Sequence, residues 1–138
     1  MVSPIAIEHF DTVWPRAKSS LLKFWNTTAN FESIESLEDK IRKGKCQLWC
    51  YLGKDGVTIF FTTYIKLTST AKVLQGVHAG GENLSSLELA KILPVMFKEV
   101  EVIAKQLGFD AVAINTRKGL VKFLPDYEFQ SITLVKRI

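Results

Sequence analysis

"LPVMFKEVEVIAKQLGFDAVAINT", Leu93 to Thr116, changes period at a glycine. Leu93, Met96, Phe97, Val100, Ile103, Ala104 and Leu107 recur at three and four residues, the spacing of a helix with one apolar face. Pro94 suits the first turn of that helix and Gly108 its C-terminal cap. "FDAVAINT" then reads as a near-continuous apolar strand, the pattern of a strand buried between layers. A long helix running into a buried strand makes this half of the chain α/β in character.

Upstream the period is two. "CQLWCYL" (Cys46–Leu52), "VTIFFTTYIKL" (Val57–Leu67) and "KVLQGVHA" (Lys72–Ala79) are rich in β-branched and aromatic residues. The turns "GKDG" and "TSTA" join them into an antiparallel meander. Within it Phe60 and Phe61 must face opposite sides. One belongs to the core, and the other has to be covered by helices or by a partner.

The first third supplies "IAIEHF" as a short strand and "TVWPRAKSSLLKFWNT" as a helix striped by Val13, Trp14, Leu21, Leu22 and Trp25. "SIESLEDKIRKG" is a second amphipathic helix, capped by Ser33 or Ser36, with Ile34, Leu37 and Ile41 on one face and Gly44 at its end. After the buried strand, "KGLVKFLPD" reads as a short helix stopped by Pro125, and "EFQSITLVKRI" as a last strand. The order is β-α-α-β-β-β-α-β-α-β, an α/β (α+β layered) single domain over residues 1–138.

Composition narrows the class. With 138 residues, 47% hydrophobic and 23% charged, the chain is of ordinary globular type and long enough to bury a core. No apolar run approaches the ~20 residues of a membrane helix. "MVSPIAIEHFD" lacks the basic and apolar regions of a secretory signal, so the expected location is cytoplasmic. Cys46 and Cys50 lack companion Cys or His pairs, which argues against zinc, and read as small buried or half-buried apolar residues. The net charge of +4 gathers in "KIRKGK" (Lys40–Lys45) and around Arg117–Lys122. That fits a nucleic-acid surface or, more often, a solvated face.

The element order, with its long helix between meander and buried strand, resembles the GNAT acyltransferase fold. "EVIAKQLGF", from Glu101, resembles the end of that family's central helix, and "RKGLVKFL" (Arg117–Leu124) with Glu128-Phe129 resembles its next strand–helix–strand element. Among members, the chain resembles most the short, divergent GNAT-like proteins encoded by bacteriophages, some of which are virion components. The resemblance implies acetyl-CoA as cofactor, no metal, and a protein partner of phage or host origin. It also raises a homodimer, since many members dimerise.

In that family the cofactor pyrophosphate sits on a loop with the pattern Gln/Arg-x-x-Gly-x-Gly/Ala that opens the central helix. Backbone N–H groups and a helix N-terminus suit an anion, and glycines allow its close approach. Carried over without gaps, the pattern falls on Glu88–Leu93, where only Lys91 helps electrostatically. "Gln75-Gly-Val-His78-Ala-Gly80" comes close to it, but with His78 at the first glycine position, and "ENLSSLELAKI" then becomes an inserted helix capped by Ser85 with Glu88. Gly80-Gly81 therefore reads as a turn, with a relocated phosphate cradle as the competing reading. The cofactor candidates are His78, Gly80, Gly81, Lys91 and Asn115.

Acetyl transfer also needs a base, and commonly a Tyr that protonates the thiolate. The usual Tyr position falls at Leu124, which leaves Tyr127 and Glu82 as catalytic candidates. The sequence thus predicts a GNAT-fold protein with degenerate cofactor and catalytic motifs, acting by binding. The alternatives are a divergent, active acetyl-CoA-dependent N-acetyltransferase and a small basic nucleic-acid-binding domain.

Overall fold

The computed structural model describes residues 1–25, 32–115, 122–128 and 136. Five strands form one mixed sheet in sequence order: β1 (Val2–Pro4), β2 (Gln47–Leu52), β3 (Thr58–Leu67), β4 (Lys72–Gly81) and β5 (Ala111–Ile114). The first four pair antiparallel, and β4 pairs parallel with β5. A parallel pair needs a crossover connection. Helix α3 (Ser86–Gln106) provides it, while α1 (Phe10–Trp25) and α2 (Ile34–Arg42) connect β1 to β2. The first eight elements of the predicted order are thus present. The expected short helix, residues 118–126, lies partly outside the described residues, and the expected last strand, 128–138, almost wholly so.

The consecutive phenylalanines show how the layers are built. Phe60 and Phe61 are 2% and 1% exposed, so both sides of the sheet are covered. Phe61 packs with Trp49, Leu74, Met96, Phe97 and Val100 against α3. Phe60 packs with Phe10, Trp14, Leu21, Leu37 and Leu48 beneath α1 and α2. Each fully buried side chain of this size contributes roughly 1.5–3 kcal/mol. The cover that the sequence asks for comes from the chain's own helices.

Local chemistry fixes most element ends. The Ser33 hydroxyl accepts from the Ser36 N–H and starts α2. At its other end Gly44 adopts φ +74, and the Lys45 and Gly44 N–H groups donate to the Lys40 and Ile41 carbonyls. Gly108, at φ +84, closes α3 in the same way. Asp55 and Gly56 take the two left-handed positions of the β2–β3 turn.

Four expectations need correction. The first strand is Val2–Pro4, and Ile7–His9 instead form a 3-10 turn leading into α1. Leu22 faces solvent, because the buried stripe of α1 runs through Phe10, Trp14, Ala17, Ser20, Leu21 and Phe24. Pro94 lies inside α3, which starts eight residues earlier, after the Ser85 cap. β5 is less buried than its composition suggests: Ala111 is exposed and Val112 to Ile114 are half-buried.

Candidate functional site

Gly80 and Gly81 lie in β4, paired with Phe60 and Ile59, and form no turn. Neither has a positive φ. A Cβ on Gly80 would stand 2.1 Å from the Ser20 carbonyl oxygen, so this glycine exists to let the backbone of α1 lie against the sheet. A Cβ on Gly81 would meet the Leu84 side chain at 2.5 Å. The turn itself is made by Glu82 and by Asn83, which adopts φ +54.

The N-terminus of α3 follows at once, and the chain itself takes up two of the donors there, the Ser85 and Glu88 N–H groups. The Ser85 hydroxyl accepts from the Glu88 N–H at 3.1 Å, and the Ser85 N–H donates to the Glu88 carboxylate at 3.0 Å. That backbone bond is the main cause holding the Glu88 carboxyl below its ordinary pKa. Glu82 accepts from Arg16 Nη2 at 2.6 Å and Nε at 3.1 Å. Because α3 begins at Ser86, the ungapped placement of the cofactor pattern, Lys91 included, falls inside the helix, where Lys91 is exposed. Re-anchored on the observed helix start, the Gln/Arg position becomes Glu82 and the glycine positions become Ser85 and Leu87.

One strand position back, β4 departs from regular pairing. Phe61 faces Ala79 and Thr63 faces Gly76, so Val77 and His78 together oppose Thr62 in a β-bulge. The bulge turns His78 under the α1–α2 side of the sheet. Its ring is 5% exposed and stacks on Trp25 at 4.1 Å between centroids. His78 Nε2 lies 3.7 Å from Glu32 Oε1, while Lys40 Nζ donates to Glu32 Oε2 at 2.6 Å. The Trp25 indole N–H donates to the Glu32 carbonyl at 3.0 Å, anchoring that residue.

These groups surround a cavity of about 70 Å³. Glu32, Lys40, Thr62, Tyr64 and His78 supply its polar atoms, and Leu37, Cys46 and Val77 its apolar wall. Burial pushes the His78 imidazole below its ordinary pKa, against the pull of Glu32. Burial likewise raises the Cys46 thiol, and the bond to Glu32 raises Lys40. Among the described residues, Thr62 Oγ1 has no hydrogen-bond partner although it is buried. The sequence reading missed Glu32 and Thr62, which reach the cavity through tertiary placement and a register shift rather than any local motif.

The remaining candidates lie apart. Asn115 accepts from the buried Gln75 amide at 2.7 Å, and its N–H donates to the Gly76 carbonyl at 2.9 Å. It thus closes the β4–β5 pairing, which runs from Val73 to Gly76. The Tyr127 hydroxyl donates to Glu101 at 3.1 Å, and burial raises its pKa. Glu101 stands about 22 Å along α3 from the helix start, so Tyr127 and Glu82 share no site. In the basic cluster Lys40 pairs with Glu32, Arg42 with Asp11 and Glu38, and Lys43 with Asp39. The second basic cluster lies mostly outside the described residues. Among the described residues no set of His, Cys, Asp and Glu is arranged to hold a metal ion, and no helix is long and apolar enough to cross a membrane.

No protein-family model matches the sequence, and no curated protein does. Solved structures do match, over the whole of this chain. An aminoglycoside acetyltransferase from an uncultured soil metagenomic sample superposes with a TM-score of 0.65 at 11% identity, over 95% of its own length. A possible acetyltransferase from Clostridium difficile 630 gives 0.65 at 12% identity over 97%. A ribosomal-protein-alanine N-acetyltransferase from Brucella melitensis biovar Abortus 2308 gives 0.64 at 12% over 99%. At such identities the likeness is one of fold, and the chain has the layered GNAT-like fold of these acetyltransferases.

Proposed function

We propose that this is a GNAT-fold binding protein whose acetyl-CoA cradle is filled by its own side chains. The observation that carries this reading is the capping box at the start of α3. A pyrophosphate needs free backbone N–H groups and positive potential at a helix N-terminus. Here Ser85 and Glu88 satisfy each other there, Glu82 adds a second carboxylate held by Arg16, and side chains occupy the glycine positions. A phosphate would have to displace one carboxylate and approach another. Lys23 and Lys91 lie near enough to act on Glu88 electrostatically, but they neutralise what is already present. The partner on this reading is a protein, of a phage particle or of a host cell; its support is the sequence resemblance to phage-encoded members.

The test is calorimetric titration with acetyl-CoA and CoA at low salt. The expected result is no heat of binding up to millimolar cofactor. Micromolar binding, with acetyl transfer to any of a panel of primary amines, would overturn the reading. Gly80→Val is a poor control here, because that position reports α1 packing.

A second reading, a divergent acetyl-CoA-dependent N-acetyltransferase, is favoured by one observation. His78 sits buried at the β4 bulge, with its pKa held low and a carboxylate beside it, and a neutral imidazole can serve as general base. Turnover that disappears in His78→Gln while cofactor binding survives would support it. Nucleic-acid binding is the weakest of the three, since Lys40, Arg42 and Lys43 are engaged by carboxylates of the chain.

A further inference from the structure

The outer face of α3 is patterned although it stands in solvent. At about 100° per residue, Leu87, Lys91, Val95, Lys98, Val102 and Lys105 fall within one sector about 80° wide. Leu93, Met96, Phe97, Val100 and Ala104 lie on the opposite side, against the sheet. Leu87, Val95 and Val102 are 56%, 56% and 58% exposed, so three aliphatic side chains meet water along about 22 Å of helix. Lys91, Lys98 and Lys105 stand among them, exposed and, among the described residues, without an ion pair. No carboxylate falls inside the sector. Glu88 and Glu101 border it, and Tyr127 meets Glu101 at that border.

The spacing is that of a seam between two helices. From Lys91 the intervals run four, three, four and three. Val95 and Val102 therefore take one position of a seven-residue repeat, and Lys91, Lys98 and Lys105 the other. Such a seam buries its apolar side chains against a second helix. The lysines say what that helix must carry. A second copy of α3 would set lysine against lysine, or lysine against valine with its charge desolvated and unpaired. A bilayer suits a helix with an unbroken apolar face, whereas here the lysines interrupt the aliphatic residues. A helix with apolar residues opposite the valines and carboxylates opposite the lysines meets both demands.

We propose that the outer face of α3 docks an acidic amphipathic helix of a partner protein. The partner's apolar residues pack on Leu87, Val95 and Val102, and its carboxylates pair with Lys91, Lys98 and Lys105. This gives the binding-protein reading above a face and a partner chemistry, and it rests on that reading.

The test is an amide-resolved NMR titration of the full chain with a synthetic helical peptide matching α3 in length, with Leu at one seam position and Glu at the other. The peptide should bind saturably below millimolar, shift the amides from Leu87 to Lys105, and weaken as salt is added. Lys91→Glu, Lys98→Glu and Lys105→Glu combined should weaken it about tenfold or more, the sum of three exposed ion pairs. A peptide with Lys in place of Glu should bind that variant, which also shows the variant to be folded. Val95→Ser with Val102→Ser should weaken the acidic peptide with every charge in place. Acetyl-CoA, titrated separately, tests the cofactor cradle: its binding would strike the binding-protein reading, whereas loss of the peptide result strikes this face alone. Three results would overturn the proposal: no saturable shift at millimolar peptide, equal binding of a scrambled peptide of the same composition, or shifts of this face by phosphatidylserine vesicles where the peptide gives none.

Discussion

Val77-His78 and Glu82–Ser85 lie a few residues apart along the chain, yet they use their polar groups in opposite ways. At the loop, the chain's own side chains engage several of the polar groups. Ser85 and Glu88 cap one another, Arg16 holds Glu82, and Gly80 is pressed against α1. At the bulge, Val77 and His78 line a cavity, and the Thr62 hydroxyl beside it has no hydrogen-bond partner among the described residues. A phosphate-binding loop is expected to hold spare N–H groups, and a structural one to spend them. On the reading proposed above, the loop that looks like a ligand site in sequence is structural, and the bulge is the better place to look for a ligand.

The largest effect that can break this contrast is at Gly80. If the glycine serves packing, Gly80→Ala drives a methyl into the Ser20 carbonyl, a backbone group that cannot rotate away. The expected loss is about 3 kcal/mol or more in denaturant melts. Gly81→Ala meets side chains, Leu84 Cδ1 at 2.5 Å and Ile59 Cγ1 at 3.4 Å, which can shift where backbone cannot, and should cost about 1 kcal/mol. Two small, equal effects would mean that α1 leaves room beside β4, and the loop would again be open to a ligand.

The next effect sharpens the other side of the contrast. His78 has its pKa lowered by burial, so the unfolded chain binds a proton that the folded chain refuses. The contribution is complete above the unfolded value of ~6.5 and is lost as pH falls below it, with a slope of up to ~1.4 kcal/mol per pH unit. Glu32, Lys40, Cys46 and Tyr64 face the same space; Glu32 opposes the shift and Lys40 assists it. His78→Phe preserves a ring against Trp25 and should flatten the stability profile below pH ~6.5. An unchanged slope would place the titration elsewhere.

Much of this was legible before any coordinates. The period of two through Gln47–Gly81 and the three–four spacing of α1, α2 and α3 come from burying one face, and the Ser33 and Ser85 caps are local chemistry. What stayed hidden depends on distant partners. Pro94 resembles a helix start because proline is at ease there, and only the capping box upstream makes it internal. Gly80 resembles a turn residue because nothing local announces that α1 passes within contact. The bulge is a register shift between β3 and β4, which composition does not encode, so the roles of His78, Thr62 and Glu32 followed from it unseen.

The smallest effect concerns Arg16. Its side chain is 64% exposed, so its pair with Glu82 is screened and worth about 0.5 kcal/mol or less. Arg16→Ala should therefore leave the denaturation midpoint nearly unchanged. The pair still ties α1 to the β4–α3 turn, and hydrogen exchange at Glu82, Asn83 and Leu84 should quicken when it is lost. If exchange there is unaffected, Gly81, Leu84 and the Ser85–Glu88 cap hold the loop without help from α1. If global stability drops by several kcal/mol instead, the loop is part of the cooperative core, and its closure against a pyrophosphate is stronger than its surface chemistry implies.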